Sequence, residues 1–137
     1  MRPDVWGPPA WIFLHSITLE YPDNPTKKDK QDMRNFFDSL GKVLPCHKCR
    51  NNFQMHFTKK PLTDGILCCK KNLVKWLIDI HNSVDMMNNK KAMTYEEALR
   101  QLLSCYERKS NYNMIIIYIL ILIIILFIFF TIYLMKF

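Results

Sequence analysis

In Leu44-Pro45-Cys46-His47-Lys48-Cys49-Arg50, two thiols lie three residues apart at what reads as a helix start, with His47, Lys48 and Arg50 around them. A helix start offers unpaired backbone N–H groups and the positive end of the macrodipole, and both favour thiolate over thiol. Pro45 suits a first helical turn, where its missing N–H has no partner to lose. Two cysteines on one turn can close into a disulfide, and a stabilised thiolate is a good nucleophile and leaving group. The same pair also serves as half a zinc site or as two buried small hydrophobes. The segment alone therefore leaves redox, metal and structural uses open.

A second group of residues has recognition chemistry. Trp6-Gly7-Pro8-Pro9-Ala10-Trp11 opens the first apolar run, and His15 follows Trp11 by four positions, on the same helix face. Further on come His81-Asn82-Ser83-Val84-Asp85, then Lys90-Lys91 and Tyr95. Singly, these are core aromatics, satisfied polar groups, a helix terminator and solvated lysines. Together they offer flat aromatic surfaces, hydrogen-bonding imidazoles and cations beside a dithiol, as binding a flavin dinucleotide between helices requires.

The elements that must position these groups read as all-α. An apolar run over Ala10–Leu19 follows Pro8-Pro9 and ends at Tyr21-Pro22-Asp23-Asn24-Pro25. Thr26 is an N-cap for a second helix through Met33, Phe36, Phe37 and Leu40, and Gly41 weakens that helix before Leu44-Pro45. A third helix carries Cys46, Cys49, Phe53 and Phe57 and stops before Lys60-Pro61. Leu73, Trp76, Leu77 and Ile80 mark the core face of a fourth, and Thr94-Tyr95-Glu96-Glu97 is a capping box for a short fifth through Leu99, Leu102 and Leu103. A four-helix bundle with a short fifth helix accounts for this pattern. No βαβ pattern is present, which argues against a thioredoxin fold.

From Met114 to Met135, 22 residues carry no charge. At about 1.5 Å rise per residue they span a hydrocarbon core of about 30 Å. Tyr118 and Tyr133 sit towards the ends, where amphipathic rings prefer the interface. The expected organisation is a domain over residues 1–108, a linker over 109–113 and a transmembrane tail anchor over 114–135. No apolar secretory run opens the sequence, so the domain is expected to face the cytosol, consistent with Arg108 and Lys109 before the span. Disulfides in that compartment are usually catalytic. The net charge of +7 is spread along the domain without a basic cluster on aromatic platforms, so no nucleic-acid partner is expected.

The ordered set Trp6-Gly7-Pro8-x-x-Trp11-x-x-Leu14-His15, Tyr21-Pro22, Pro45-Cys46-x-x-Cys49-Arg50, Trp76 and His81-Asn82-x-Val84 resembles the Erv/ALR family of FAD-dependent sulfhydryl oxidases, over about Trp6 to Leu103. Its small size and expected cytosolic placement are similar to the members encoded by large DNA viruses, whose enzymes make a virion membrane a candidate location. The resemblance implies FAD at the mouth of the bundle, usually in a homodimer, with the short fifth helix closing the site. It implies Trp11 and His15 along the rings, Pro8 near the entry and Phe53 packed on the flavin. His81, Asn82 and Val84 would then contact the adenosine part, Lys90 or Lys91 the phosphates and Tyr95 the cofactor's edge. By the same resemblance Cys46 is the outer thiol that exchanges with substrate, through a thioredoxin- or glutaredoxin-like dithiol carrier. Cys49 is the inner thiol next to the flavin, and dioxygen is the final acceptor, giving hydrogen peroxide. Asp85 stands where the family pattern has Asn, and it reads either as a ribose contact or as an outward carboxylate. Asn72 stands where cellular members place a structural cysteine. Cys68, Cys69 and Cys105 are expected as free thiols, with a shuttle role open. The reading from a different class is a non-catalytic membrane adaptor whose Cys pair binds zinc or is structural.

Overall fold

The computed structural model describes residues 1–135, with backbone alone at 108–112. Lys136, Phe137 and the side chains of Arg108 and Lys109 lie outside the described residues. The helices are α1 (Pro3–Leu19), α2 (Lys27–Val43), α3 (His47–Lys59), α4 (Lys70–Met87) and α5 (Tyr95–Met135), and no strand occurs among the described residues. The all-α expectation holds.

Helix α1 starts earlier than the proline pair suggests, and Pro8 and Pro9 lie inside it. A proline there removes the hydrogen bond to the carbonyl four residues back. The carbonyls released belong to Asp4 and Val5, both exposed, so water replaces the lost donors. Pro3 at the helix start needs no N–H partner.

Helix α2 begins with a reciprocal capping box. Asp29 N–H donates to Thr26 Oγ1 at 3.2 Å, and Thr26 N–H donates to Asp29 Oδ2 at 2.8 Å. Gly41 does not weaken α2, which continues to Val43. Its role is close approach: a Cβ there would lie 2.9 Å from both Phe53 Cδ1 and Gln54 Nε2 on α3. The box at the start of α5 forms as expected, with Thr94 N–H donating to Glu97 Oε2 at 2.7 Å and Glu97 N–H to Thr94 Oγ1 at 3.2 Å.

The core places α4 between α1 and α3, with α2 packed on α3. Phe37, Leu67, Leu73 and Leu77 are fully buried, each contributing about 2 kcal/mol on leaving water. Trp76 meets Phe37 edge-on at 4.9 Å and Phe57 at 5.8 Å, and its indole N–H donates to the Lys60 carbonyl at 2.9 Å. The buried Tyr21 hydroxyl donates to the Leu67 carbonyl at 3.0 Å, tying the α1–α2 turn to the loop before α4.

The chain divides into two compact units, Met1–Ala98 and Leu99–Phe137. The expected short fifth helix and linker are a single helical element: the backbone at 109–113 is helical, because nothing between Leu99 and Met135 is Gly or Pro. Within it, Asn113–Met135 is long and apolar enough to cross a membrane, with mean hydropathy 3.5 over an 18-residue window.

Candidate active site

Cys46 and Cys49 are joined as a disulfide with Cα atoms 5.1 Å apart, inside the usual range for such a bridge. Cys46 is the N-cap of α3, and Cys49 N–H donates to its sulfur at 3.2 Å. Pro45 therefore lies one residue before the cap rather than within the first turn. Both cysteines are partly exposed. Arg50 does more than add charge: its guanidinium donates to the Leu44 carbonyl at 2.5 Å and braces the turn that carries the pair. Because the two sulfurs are bonded to each other, they do not form a chelating dithiolate, and the zinc reading of this pair finds no support. Among the described residues no group of three or more His, Cys, Asp or Glu is placed to hold a metal ion.

The second group gathers where α1 meets α4. Trp11 and His81 stack with ring centroids 3.9 Å apart and planes 11° from parallel. At that spacing the rings touch, and no third ring fits between them. His15 Nε2 and His81 Nδ1 share a hydrogen bond of 3.0 Å. Burial, with the neighbouring His81 adding to it, pulls the His15 imidazole down to about 4. Burial also pulls His81 below the usual histidine range, with Asp85 opposing and Lys90 reinforcing the shift. Both rings are therefore neutral at physiological pH and act as directional hydrogen-bonding groups.

Asp85 is buried rather than outward. One carboxylate oxygen lies 3.6 Å from His81 Nε2 and the other 3.5 Å from Lys90 Nζ. Lys90 N–H also donates to the Asp85 carbonyl at 2.9 Å, closing the turn after α4 in which Asn89 takes a left-handed φ of 58°. Asn82 grips the same loop from its other end. Its Nδ2 donates to the Met93 carbonyl at 2.8 Å, and its Oδ1 accepts from Met93 N–H at 2.9 Å. Far from terminating α4, Asn82 is an internal clamp for residues 88–94. Lys91 is exposed, while Val84 and Tyr95 are half-buried at either end of the loop.

Phe53 is buried on α3 against Phe57, with Gly41 beneath it, and Pro8 is exposed on α1. Trp11, His15, His81, Asp85 and Lys90 thus form one contacting set. The cysteine pair and Phe53 share α3, on the other neighbour of α4. Sequence reasoning missed Gly41 as a packing position, for which a glycine inside a helical pattern was the available signal. It also missed His56, buried on α3 with Nε2 3.0 Å from Met87 Sδ. Cys68, Cys69 and Cys105 are free.

A profile of the Erv1 / Alr family matches residues 8–107. The chain belongs to the Erv1/Alr family. It is 46% identical over 119 residues to a protein of Acanthamoeba polyphaga mimivirus named as a probable FAD-linked sulfhydryl oxidase, covering 85% of this chain and 83% of that one. It is 32% identical over 92 residues to the FAD-linked sulfhydryl oxidase of African swine fever virus, covering 67% of this chain and 75% of that one. The crystal structure of the FAD binding domain of Erv1 from Saccharomyces cerevisiae superposes with a TM-score of 0.65 at 24% identity, covering 70% of this chain and 89% of that one, a likeness of fold.

The donor set of this Erv1/Alr chain fits a flavin dinucleotide. The Trp11–His81 stack offers a flat apolar face, two neutral imidazoles offer directional hydrogen bonds, and Lys91 offers an exposed cation. The carboxylate of Asp85, which would repel phosphates, is matched by Lys90.

Proposed function

We propose that this chain is an FAD-linked sulfhydryl oxidase that makes disulfides in protein thiols. The observation that carries the proposal is the Cys46–Cys49 disulfide closed at the first turn of α3 in an Erv1/Alr bundle. A substrate thiolate forms a bond to Cys46 Sγ, the Cys46–Cys49 bond breaks, and its electron pair goes to Cys49 Sγ. The helix start stabilises the thiolate released there. A second substrate thiolate then displaces Cys46 from the mixed disulfide, and Cys49 N–H is placed to stabilise the leaving sulfur. FAD held beside this pair would supply a two-electron acceptor for the Cys46–Cys49 dithiol, with dioxygen as the final acceptor and hydrogen peroxide as the product. Trp11, His15 and His81 are the residues proposed to bind its rings, with Phe53 packing on the flavin. Lys90 and Lys91 are proposed for the phosphates, and Pro8, Val84 and Tyr95 line the approach. Asn82 and Asp85 act through the 88–94 loop they hold.

The proposed organisation is a catalytic domain over residues 1–108 and a membrane anchor over 114–135, joined through the helical backbone between them. The domain faces the cytosol, and a virion membrane fits the viral relatives. The direct thiol donor is a thioredoxin- or glutaredoxin-like dithiol carrier. A homodimer is supported by the apolar cleft between α1 and α2, lined by Phe13, Ile17, Met33 and Phe36, where Phe13 is 60% exposed. Substitution tests the chemistry: Cys49→Ser is expected to keep its flavin and lose turnover with dithiothreitol, since the two thiols act as a unit. Unchanged peroxide production in that variant would remove Cys49 from the mechanism.

A further inference from the structure

The contact between His15 Nε2 and His81 Nδ1, 3.0 Å long, has room for one proton. With both rings neutral, one imidazole must donate and the other accept, and two orders are possible. In the first, His15 donates from Nε2 and His81 carries its own proton on Nε2. In the second, His81 donates from Nδ1, leaving its Nε2 lone pair facing Asp85. The surroundings of His81 decide between them. From α1 come His15 and the Trp11 ring. From α4 comes Asp85, with Oδ2 3.6 Å from Nε2, too long for a hydrogen bond but close enough for its charge to act. From the following loop comes Lys90, on the far oxygen of Asp85 at 3.5 Å. From α3, His56 reaches α4 at Met87, and from the C-cap of α3 Lys60 reaches it at the Asp79 carbonyl and the Ser83 hydroxyl. A lone pair aimed at a carboxylate is repelled and an N–H aimed at it is attracted, so the first order is favoured.

We propose that Asp85 is a positioning residue that fixes the proton order of the imidazole pair, with His81 and His15 both protonated on Nε2 and His15 Nδ1 left as a bare acceptor. This rests on the flavin reading only for what the acceptor takes. Beside a flat aromatic stack, a bare ring nitrogen selects a ligand N–H, such as an adenine amino or flavin imide group. Lys90 has the complementary part: its exposed side chain reaches the second oxygen of Asp85. An asparagine at position 85 loses the charge that orders the pair.

The test is nitrogen NMR on the full chain in detergent micelles, labelled at its four histidines. Each tautomer gives a distinct pair of ring-nitrogen shifts, read above the titration range, and the wild-type result needs no substitution. The expected finding is Nε2–H on both His15 and His81. In Asp85→Asn, His81 loses its tautomer preference and titrates at lower pH than in wild type, because the charge that favoured its cation is gone. In Lys90→Met the tautomers persist and His81 titrates at higher pH, because an opposing cation is gone. A purely structural role gives no such opposite pair of shifts. An Nδ1–H tautomer at wild-type His81 overturns the proposal, as do shifts of the same sign in the two variants. Flavin content, measured on the same samples by absorbance, fails independently: colourless protein with the expected proton order sinks the flavin reading alone.

Discussion

Acidification should expose how much stability rests on keeping His15 neutral. The ring is 8% exposed, and its pKa falls from 6.5 to about 4 in the folded chain. The unfolded chain therefore takes up a proton near pH 6.5 that the folded chain refuses until about pH 4. Stability from this group is complete above the unfolded value, declines as pH falls through the window, and levels off below the folded value. Between about pH 7 and about pH 4.5 the two pKa values give a loss of about 2.5 kcal/mol, at roughly 1.4 kcal/mol per unit. Carboxylates with depressed pKa values, such as Asp29 and Asp64, add their own acid dependence, and comparison with a variant removes that common part. His15→Gln keeps an amide donor for His81 Nδ1 and cannot titrate. The assay is urea unfolding of both proteins, in the same flavin state, followed by tryptophan fluorescence. Trp6, Trp11 and Trp76 all lie in the Met1–Ala98 unit, so the apolar helix contributes no signal. Wild type should lose about 2.5 kcal/mol more than the variant over that pH interval. A difference below about 0.5 kcal/mol would refute the claim that burial holds the His15 proton off.

Gly41→Ala should push α3 away from α2, since the new methyl meets Phe53 Cδ1 and Gln54 Nε2 at 2.9 Å. A loss of about 1–3 kcal/mol in denaturant unfolding is expected, against the small gain that alanine brings to an unobstructed helix. Asn82→Ala should release the 88–94 loop by deleting both bonds to Met93. Amide hydrogen exchange at Met93 should rise at least tenfold, and stability should fall by about 1–2 kcal/mol; unchanged exchange would contradict the clamp.

Where local chemistry decides structure, the residues could be read directly. Thr26 with Asp29, and Thr94 with Glu97, form helix starts because each pair satisfies orphan N–H groups within four residues. Leu73, Trp76, Leu77 and Ile80 repeat at helical spacing and are buried on α4 as that spacing requires. What was not legible depends on groups far apart in sequence. Pro8 and Pro9 look like a helix boundary, yet α1 passes through them because the carbonyls they strand face solvent. Gly41 looks like a weak point until Phe53 is seen against it. Asp85 was ambiguous because its setting is made by Lys90 in the next turn and by His81 one turn back. A helix running through residues 109–113 follows from good helix formers on both sides, which a search for domain boundaries discounts.

The most direct measurement is an anaerobic titration of the purified full chain with dithiothreitol, watched at the flavin band near about 450 nm. The account predicts a yellow protein whose band bleaches with the dithiol and returns when dioxygen is admitted. A colourless protein, or a bound flavin that the dithiol leaves oxidised, would contradict it.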